Sequence, residues 1–166
     1  MANKKIPKAI RSEEFPLLIK ATRKNDNEAK ISFLLSYGSG LRLSEVLALK
    51  PENIKKDTLE VWSGKGGKDR IVPKPKGWKD TMMKYIPVKK TGRALERNFK
   101  SASKKANLPD FYTFHSLRHG FATRLIENGV PLSHVQGLLG HSNLSTTSIY
   151  TKARPQDALK SYEDLF

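Results

Sequence analysis

The stretch Thr58-Leu59-Glu60-Val61-Trp62-Ser63-Gly64-Lys65-Gly66-Gly67-Lys68-Asp69-Arg70-Ile71-Val72 decides the fold class, because here helical spacing gives way to alternation. Thr58 to Trp62 and Arg70 to Val72 repeat with a period of two and are rich in β-branched and aromatic residues, the pattern of half-buried strands. Ser63 to Lys68 supplies glycines for a tight reversal and lysines for its tip, so the segment is expected to fold back as one small hairpin. Pro73, Pro75 and Gly77 end it.

Helical periodicity surrounds this hairpin on both sides. Upstream, Ser12 with Glu13 and Glu14 opens a helix that carries Phe15, Leu18 and Ile19 on one stripe and stops near Asn25-Asp26-Asn27. A second helix carries Ile31, Phe33, Leu34, Leu35 and Tyr37 until Gly38-Ser39-Gly40 breaks it. Spacing resumes from Leu43 to Leu49, before Pro51, which puts Arg42 at a helix entrance. Downstream, a short helix is expected over Trp78 to Tyr85, then a long basic one over Thr91 to Ala106. In the latter Leu95, Phe99 and Ala102 face inward, and Arg93, Arg97, Lys100, Lys104 and Lys105 face outward. Three more helices follow, His115 to Asn128, Leu132 to Leu139 and Ser145 to about Lys152, set apart by Gly129, Pro131 and Gly140. The tail Gln156 to Phe166 is amphipathic. The expected class is therefore mainly α with a small antiparallel β-hairpin (α+β). It is read as a single domain over 1–166, with 1–11 linker-like and 156–166 a tail helix.

Charge narrows the function. Among 166 residues, 31 Lys plus Arg face 16 Asp plus Glu, a net charge of +15. Such a field draws a polyanion. No apolar run approaches the roughly 18 residues of a membrane span, and Met1 to Ile10 lacks the core of a signal peptide, so a soluble, intracellular protein is expected. With no cysteine, the chain has no disulfide framework, thiol nucleophile or Cys-ligated metal. Gly64 to Lys68 does not spell a nucleotide-binding P-loop, there is no His-Glu-x-x-His, and no Asp/Glu cluster suits Mg²⁺ at a phosphate, which disfavours a two-metal nuclease. No metal or other cofactor is expected. What remains is Arg42, Lys65, His115, Arg118 and His141, with Tyr150 nine residues later. Each alone reads as an ordinary surface, cap or core residue.

Together they form a family pattern. Gly40-Leu41-Arg42-Leu43-Ser44-Glu45-Val46-Leu47-Ala48-Leu49 resembles the first arginine motif of the tyrosine recombinases, the phage integrase family. His115-Ser116-Leu117-Arg118-His119-Gly120-Phe121-Ala122-Thr123 resembles their His-x-x-Arg motif. Leu138-Leu139-Gly140-His141-Ser142 through Thr146-Thr147-Ser148-Ile149-Tyr150 resembles their last histidine and nucleophilic tyrosine. The wording of the motifs is closest to the Xer-like and archaeal branches. Lys65 stands where the family keeps a catalytic lysine.

The resemblance implies the recombinase catalytic-domain fold and site-specific cleavage and rejoining of double-stranded DNA through a 3′-phosphotyrosyl link on Tyr150. The chemistry is consistent with these residue types. Without a metal, charge on the nonbridging oxygens must meet fixed cations, and guanidinium groups grip phosphate in a fork. Arg42 and Arg118 are the expected clamp, with His141 as a third donor and Glu45 holding Arg42. A phenol near pKa 10 needs help to ionise, for which His115 is the candidate base; Lys65 is the candidate acid for the departing 5′-oxygen. Arg93, Arg97, Lys100 and Lys104 are the expected DNA contacts. Most relatives carry a further N-terminal helical domain, which is expected to be absent here, and a C-terminal helix that docks on a neighbouring protomer of a tetramer on DNA; the 156–166 tail is expected either to dock in that way or to pack on its own chain. Two other readings stay open: nicking and relaxing activity of the type IB topoisomerase kind, and a DNA-binding module without catalysis.

Overall fold

A computed structural model of the chain describes residues 8–63, 67–140 and Leu159. Six α-helices and one hairpin follow in the order α1 (Glu14–Ala21), α2 (Asn27–Ser39), α3 (Leu43–Ala48), β1 (Thr58–Ser63), β2 (Gly67–Pro73), α4 (Gly92–Lys105), α5 (His115–Glu127) and α6 (Leu132–Leu139). Short 3₁₀ turns stand at Pro51–Asn53 and Asp80–Tyr85, the second where a short α-helix is expected from sequence. The expected helix over Ser145 to Lys152 and most of the tail lie outside the described residues.

The α2 helix is the centre of the molecule. Asp26 caps it by accepting from the Ala29 N–H at 3.1 Å. Almost every residue from Ile31 onward is buried, so its apolar residues do not form a single stripe. The serines on it are buried as well, and each returns its hydroxyl to a carbonyl: Ser32 to Glu28 at 2.7 Å, Ser36 to Leu41 at 2.8 Å and Ser39 to Pro73 at 2.6 Å. Gly38 and Ser39 continue the helix rather than break it, since only Gly40 turns left-handed, with φ 71°. Gly38 is required for another reason, because Pro75 packs directly where a side chain would stand.

Two clusters of apolar side chains flank α2. In the larger, Phe33, Phe99 and Phe114 meet edge to face, joined by Leu18, Leu35, Leu59, Leu95 and Leu117. The smaller joins Phe121 and Leu125 of α5 to Val135, Leu138 and Leu139 of α6; Leu159 from the tail packs against it on the same chain. As expected, α4 turns Leu95, Phe99 and Ala102 inward and leaves Arg93, Arg97 and Lys104 exposed.

The two strands pair antiparallel, with Leu59 opposite Val72 and Val61 opposite Arg70. Trp62 then faces Lys68, so Asp69 is skipped as a bulge. Leu59, Val61, Val72 and Arg70 are all buried, which makes the inner face of the hairpin apolar apart from one guanidinium.

Candidate active site

Where α2 passes into α3, the chain must turn sharply, and the turn is built around Arg42. The Arg42 backbone N–H donates to Glu45 Oε2 at 2.8 Å, closing the first turn of α3 from three residues ahead. Its side chain comes back over the same carboxylate, Nη1 donating to Oε1 at 2.9 Å. Glu45 thus contacts Arg42 through both its backbone and its side chain. The Arg42 side chain nevertheless keeps 41% of its surface open.

Glu45 is only 8% exposed and serves a second arginine. Arg70, from β2, lays Nη1 on Oε1 and Nη2 on Oε2, both at 2.8 Å, and its Nε donates to the Leu138 carbonyl at 2.6 Å. Burial alone would raise the Glu45 pKa; the hydrogen bond and charge of Arg70, then the backbone bond and charge of Arg42, outweigh it and hold the carboxyl at about 2.

Arg118, in α5, is the third cation. Its Nη1 stands 3.9 Å from Glu45 Oε2 and donates to the Gly40 carbonyl at 2.7 Å, while Nη2 donates to the Leu139 carbonyl at 2.7 Å. Those two carbonyls are the ends of α2 and α6, and each helix is closed by a left-handed glycine, Gly40 at φ 71° and Gly140 at φ 68°. Two negative helix ends thus meet at one guanidinium. Burial, then Arg42 and Arg70, bring the Arg118 pKa down to about 10, which leaves it charged at neutral pH.

One helical turn before Arg118, His115 opens α5 and meets His119 edge to face at 4.5 Å. Burial, then Arg118 and Lys8, lower the pKa of His119. Arg42, His115, Arg118 and His119 line a cleft of about 320 Å³ together with apolar side chains that include Ile126, Leu132 and Val135. Arg42 and His115 also border a second hollow of about 420 Å³ beside Lys100 and Glu96. Two arginines and two histidines therefore converge on one opening, an arrangement suited to an anion such as a phosphodiester.

Of the residues singled out from sequence, Arg42, Glu45, His115 and Arg118 come together. Lys65, His141 and Tyr150 lie outside the described residues. Among the described residues, β1 ends at Ser63 and β2 begins at Gly67, on either side of Lys65 in sequence, and Gly140, before His141, closes the helix end held by Arg70 and Arg118. Lys100 donates to the Asp110 and Tyr112 carbonyls at 2.8 and 2.7 Å, tying α4 to the loop before α5. Sequence reasoning missed Arg70 and His119. For Arg70 the alternation itself held a signal, because an inward Leu59 and Val61 oblige their partners Val72 and Arg70 to face inward too.

The phage integrase family matches residues 8–157 of the chain. The tyrosine recombinase XerA of Thermococcus kodakarensis is 38% identical over 181 residues, which cover 95% of this chain and 62% of that protein. The crystal structure of XerA recombinase superposes with a TM-score of 0.67 at 27% identity, over 94% of this chain and 64% of that one. A lambda integrase (residues 75–356) bound to DNA superposes with a TM-score of 0.62 over 91% of this chain and 60% of that one; at 20% identity the likeness shows the fold alone. The chain thus spans about 62% of the length of the curated relative.

Proposed function

The chain belongs to the phage integrase family, and on that premise we propose that it cleaves and rejoins double-stranded DNA at specific sites through a tyrosine-linked intermediate. The observation that carries this reading is the convergence of Arg42, Arg118 and His115 on one cleft, with Glu45 fixing the first of them. The net charge of +15 fits a duplex partner, and a lambda integrase of the same fold is bound to DNA. Among the described residues no helix is long and apolar enough to cross a membrane, which fits a protein acting on DNA in the cytoplasm.

In the reaction, Arg42 and Arg118 hold the nonbridging oxygens of the scissile phosphate, with His141 as third donor. The Tyr150 oxygen attacks phosphorus as His115 takes its proton. A bond forms between that oxygen and the 3′-phosphate, the bond to the 5′-oxygen breaks, and Lys65 protonates the leaving hydroxyl. Attack by a 5′-hydroxyl from another strand reverses the step and exchanges partners. The basic face of α4, through Arg93, Arg97 and Lys104, neutralises backbone phosphates. The 156–166 tail docks on a neighbouring protomer once DNA assembles a tetramer, while the free protein is a monomer; the packing of Leu159 on its own chain supports the second half of this.

The test is a duplex nicked next to the cleavage point, so that the released end diffuses away and traps the link. Wild type is expected to form a covalent adduct on a denaturing gel, and Tyr150→Phe to form none. A wild type that forms no adduct on its own site would overturn the reading. Light scattering that finds a stable tetramer without DNA would overturn assembly on DNA.

A further inference from the structure

Three arginines gather at one carboxylate, and they are not equivalent. The side chain of Arg42 is 41% exposed and lines both hollows, whereas that of Arg70 is 4% exposed and lines neither. Among the described residues, Arg70 therefore does not face an anion bound in either hollow. It meets Glu45 and the end of α6 instead, through three N–H donors at 2.6 to 2.8 Å.

The acceptor count explains what it does there. A carboxylate offers about four lone-pair sites. Among the described residues, Oε1 receives Arg42 Nη1 and Arg70 Nη1, and Oε2 receives the Arg42 backbone N–H and Arg70 Nη2. All four are filled, half of them by Arg70, so the carboxylate plane has one orientation. That orientation is what holds the Arg42 side chain over the cleft. The same guanidinium fixes the last turn of α6 through Leu138, next to the Leu139 carbonyl that holds Arg118.

We propose that Arg70 is a positioning residue for phosphate cleavage, acting through Glu45 and the end of α6 to hold Arg42 and Arg118 in their phosphate-facing geometry. This rests on the proposed reaction. Its substance is geometric: a planar fork spans two carboxylate oxygens and a carbonyl at once, and a lysine ammonium, which offers a single point of charge, does not. Loss of the fork lets the carboxylate turn and takes the Arg42 donors off their aim, with little effect on how tightly DNA is held.

The test compares full-length wild type with Arg70→Lys, Glu45→Gln, the double variant, and Val72→Ala as a control of similar burial on the same strand face. Single-turnover cleavage of the nicked duplex at saturating protein is expected to slow on the order of 10- to 100-fold in Arg70→Lys, with the dissociation constant for the same DNA within about twofold. The double variant is expected to be no slower than the slower single one, as for two residues acting as a unit. Val72→Ala, adjusted in temperature to the same folded fraction, is expected to cleave at nearly the wild-type rate. Arg70→Lys cleaving at the wild-type rate, rate losses that multiply in the double variant, or a Val72→Ala defect equal to that of Arg70→Lys would each overturn the proposal. Carbon-detected NMR titration of the Glu45 carboxyl needs no DNA: its midpoint is expected to rise in Arg70→Lys, and an unmoved midpoint overturns the coupling. An inactive wild type with a shifted midpoint would therefore count against the reaction and not against the link between Arg70 and Glu45.

Discussion

Arg42, Arg70 and Arg118 carry the same charge as Arg93, Arg97 and Lys104 of α4, under opposite conditions. The first three surround a buried carboxylate and the ends of two helices, and each has at least one fixed acceptor there. The α4 cations stand in water on the outer face of an amphipathic helix. Net charge treats the two groups alike; fixed acceptors separate them, and for Arg70 and Arg118 so does burial. Buried cations contribute direction, and the cost of removing one is the charge left unmatched. Exposed cations contribute attraction that salt screens and that no single residue controls.

The comparison breaks most visibly at Arg118. Arg118→Lys keeps the charge but loses one of the two helix-end contacts, and adduct formation is expected to fall on the order of 10²- to 10³-fold while duplex binding changes little. A matching loss in Arg97→Lys would erase the distinction between the two sets. Acid sharpens it next. Glu45 sits at about 2 in the fold against an ordinary 4.5, so its stabilisation is complete above about pH 4.5 and is lost as the pH falls toward 2. The amount is about 3 kcal/mol. Urea midpoints of wild type are expected to fall across that window, and those of Glu45→Gln to fall less.

Gly40→Ala tests the helix end itself. Its new Cβ would stand 2.6 Å from the Phe121 ring and 3.2 Å from Leu139, at φ 71°, where only glycine is relaxed. A loss of about 2 to 3 kcal/mol in thermal or urea unfolding is expected, with cleavage reduced beyond the change in folded fraction. The smallest effect belongs to the surface. Arg97→Gln is expected to alter stability by less than about 0.5 kcal/mol and to lower the salt slope of DNA binding by about 1.

Much of this was legible in the chain. The switch from helical to alternating spacing located the hairpin, and α6 begins and ends at Leu132 and Leu139 as the flanking Pro131 and Gly140 require. Arg42, His115 and Arg118 were legible only together, as parts of the family's motifs, since each alone reads as an ordinary surface or cap residue; Glu45 followed from its place one helical turn from Arg42. Arg70 was legible only in part: the alternation turns it inward, but its acceptors lie 25 and 68 residues away, where no local spacing points to them. Gly38 was misread as a break for a related reason: what it makes room for is Pro75, on the far side of the hairpin.

The skipped residue at Asp69 carries a practical consequence. Beyond a bulge, strand alternation starts afresh, so residues added or deleted toward Lys65 leave the pairing of Val61 with Arg70 and of Leu59 with Val72 untouched. The seat of the Arg70 guanidinium is in this sense insulated from changes of strand length beyond the bulge.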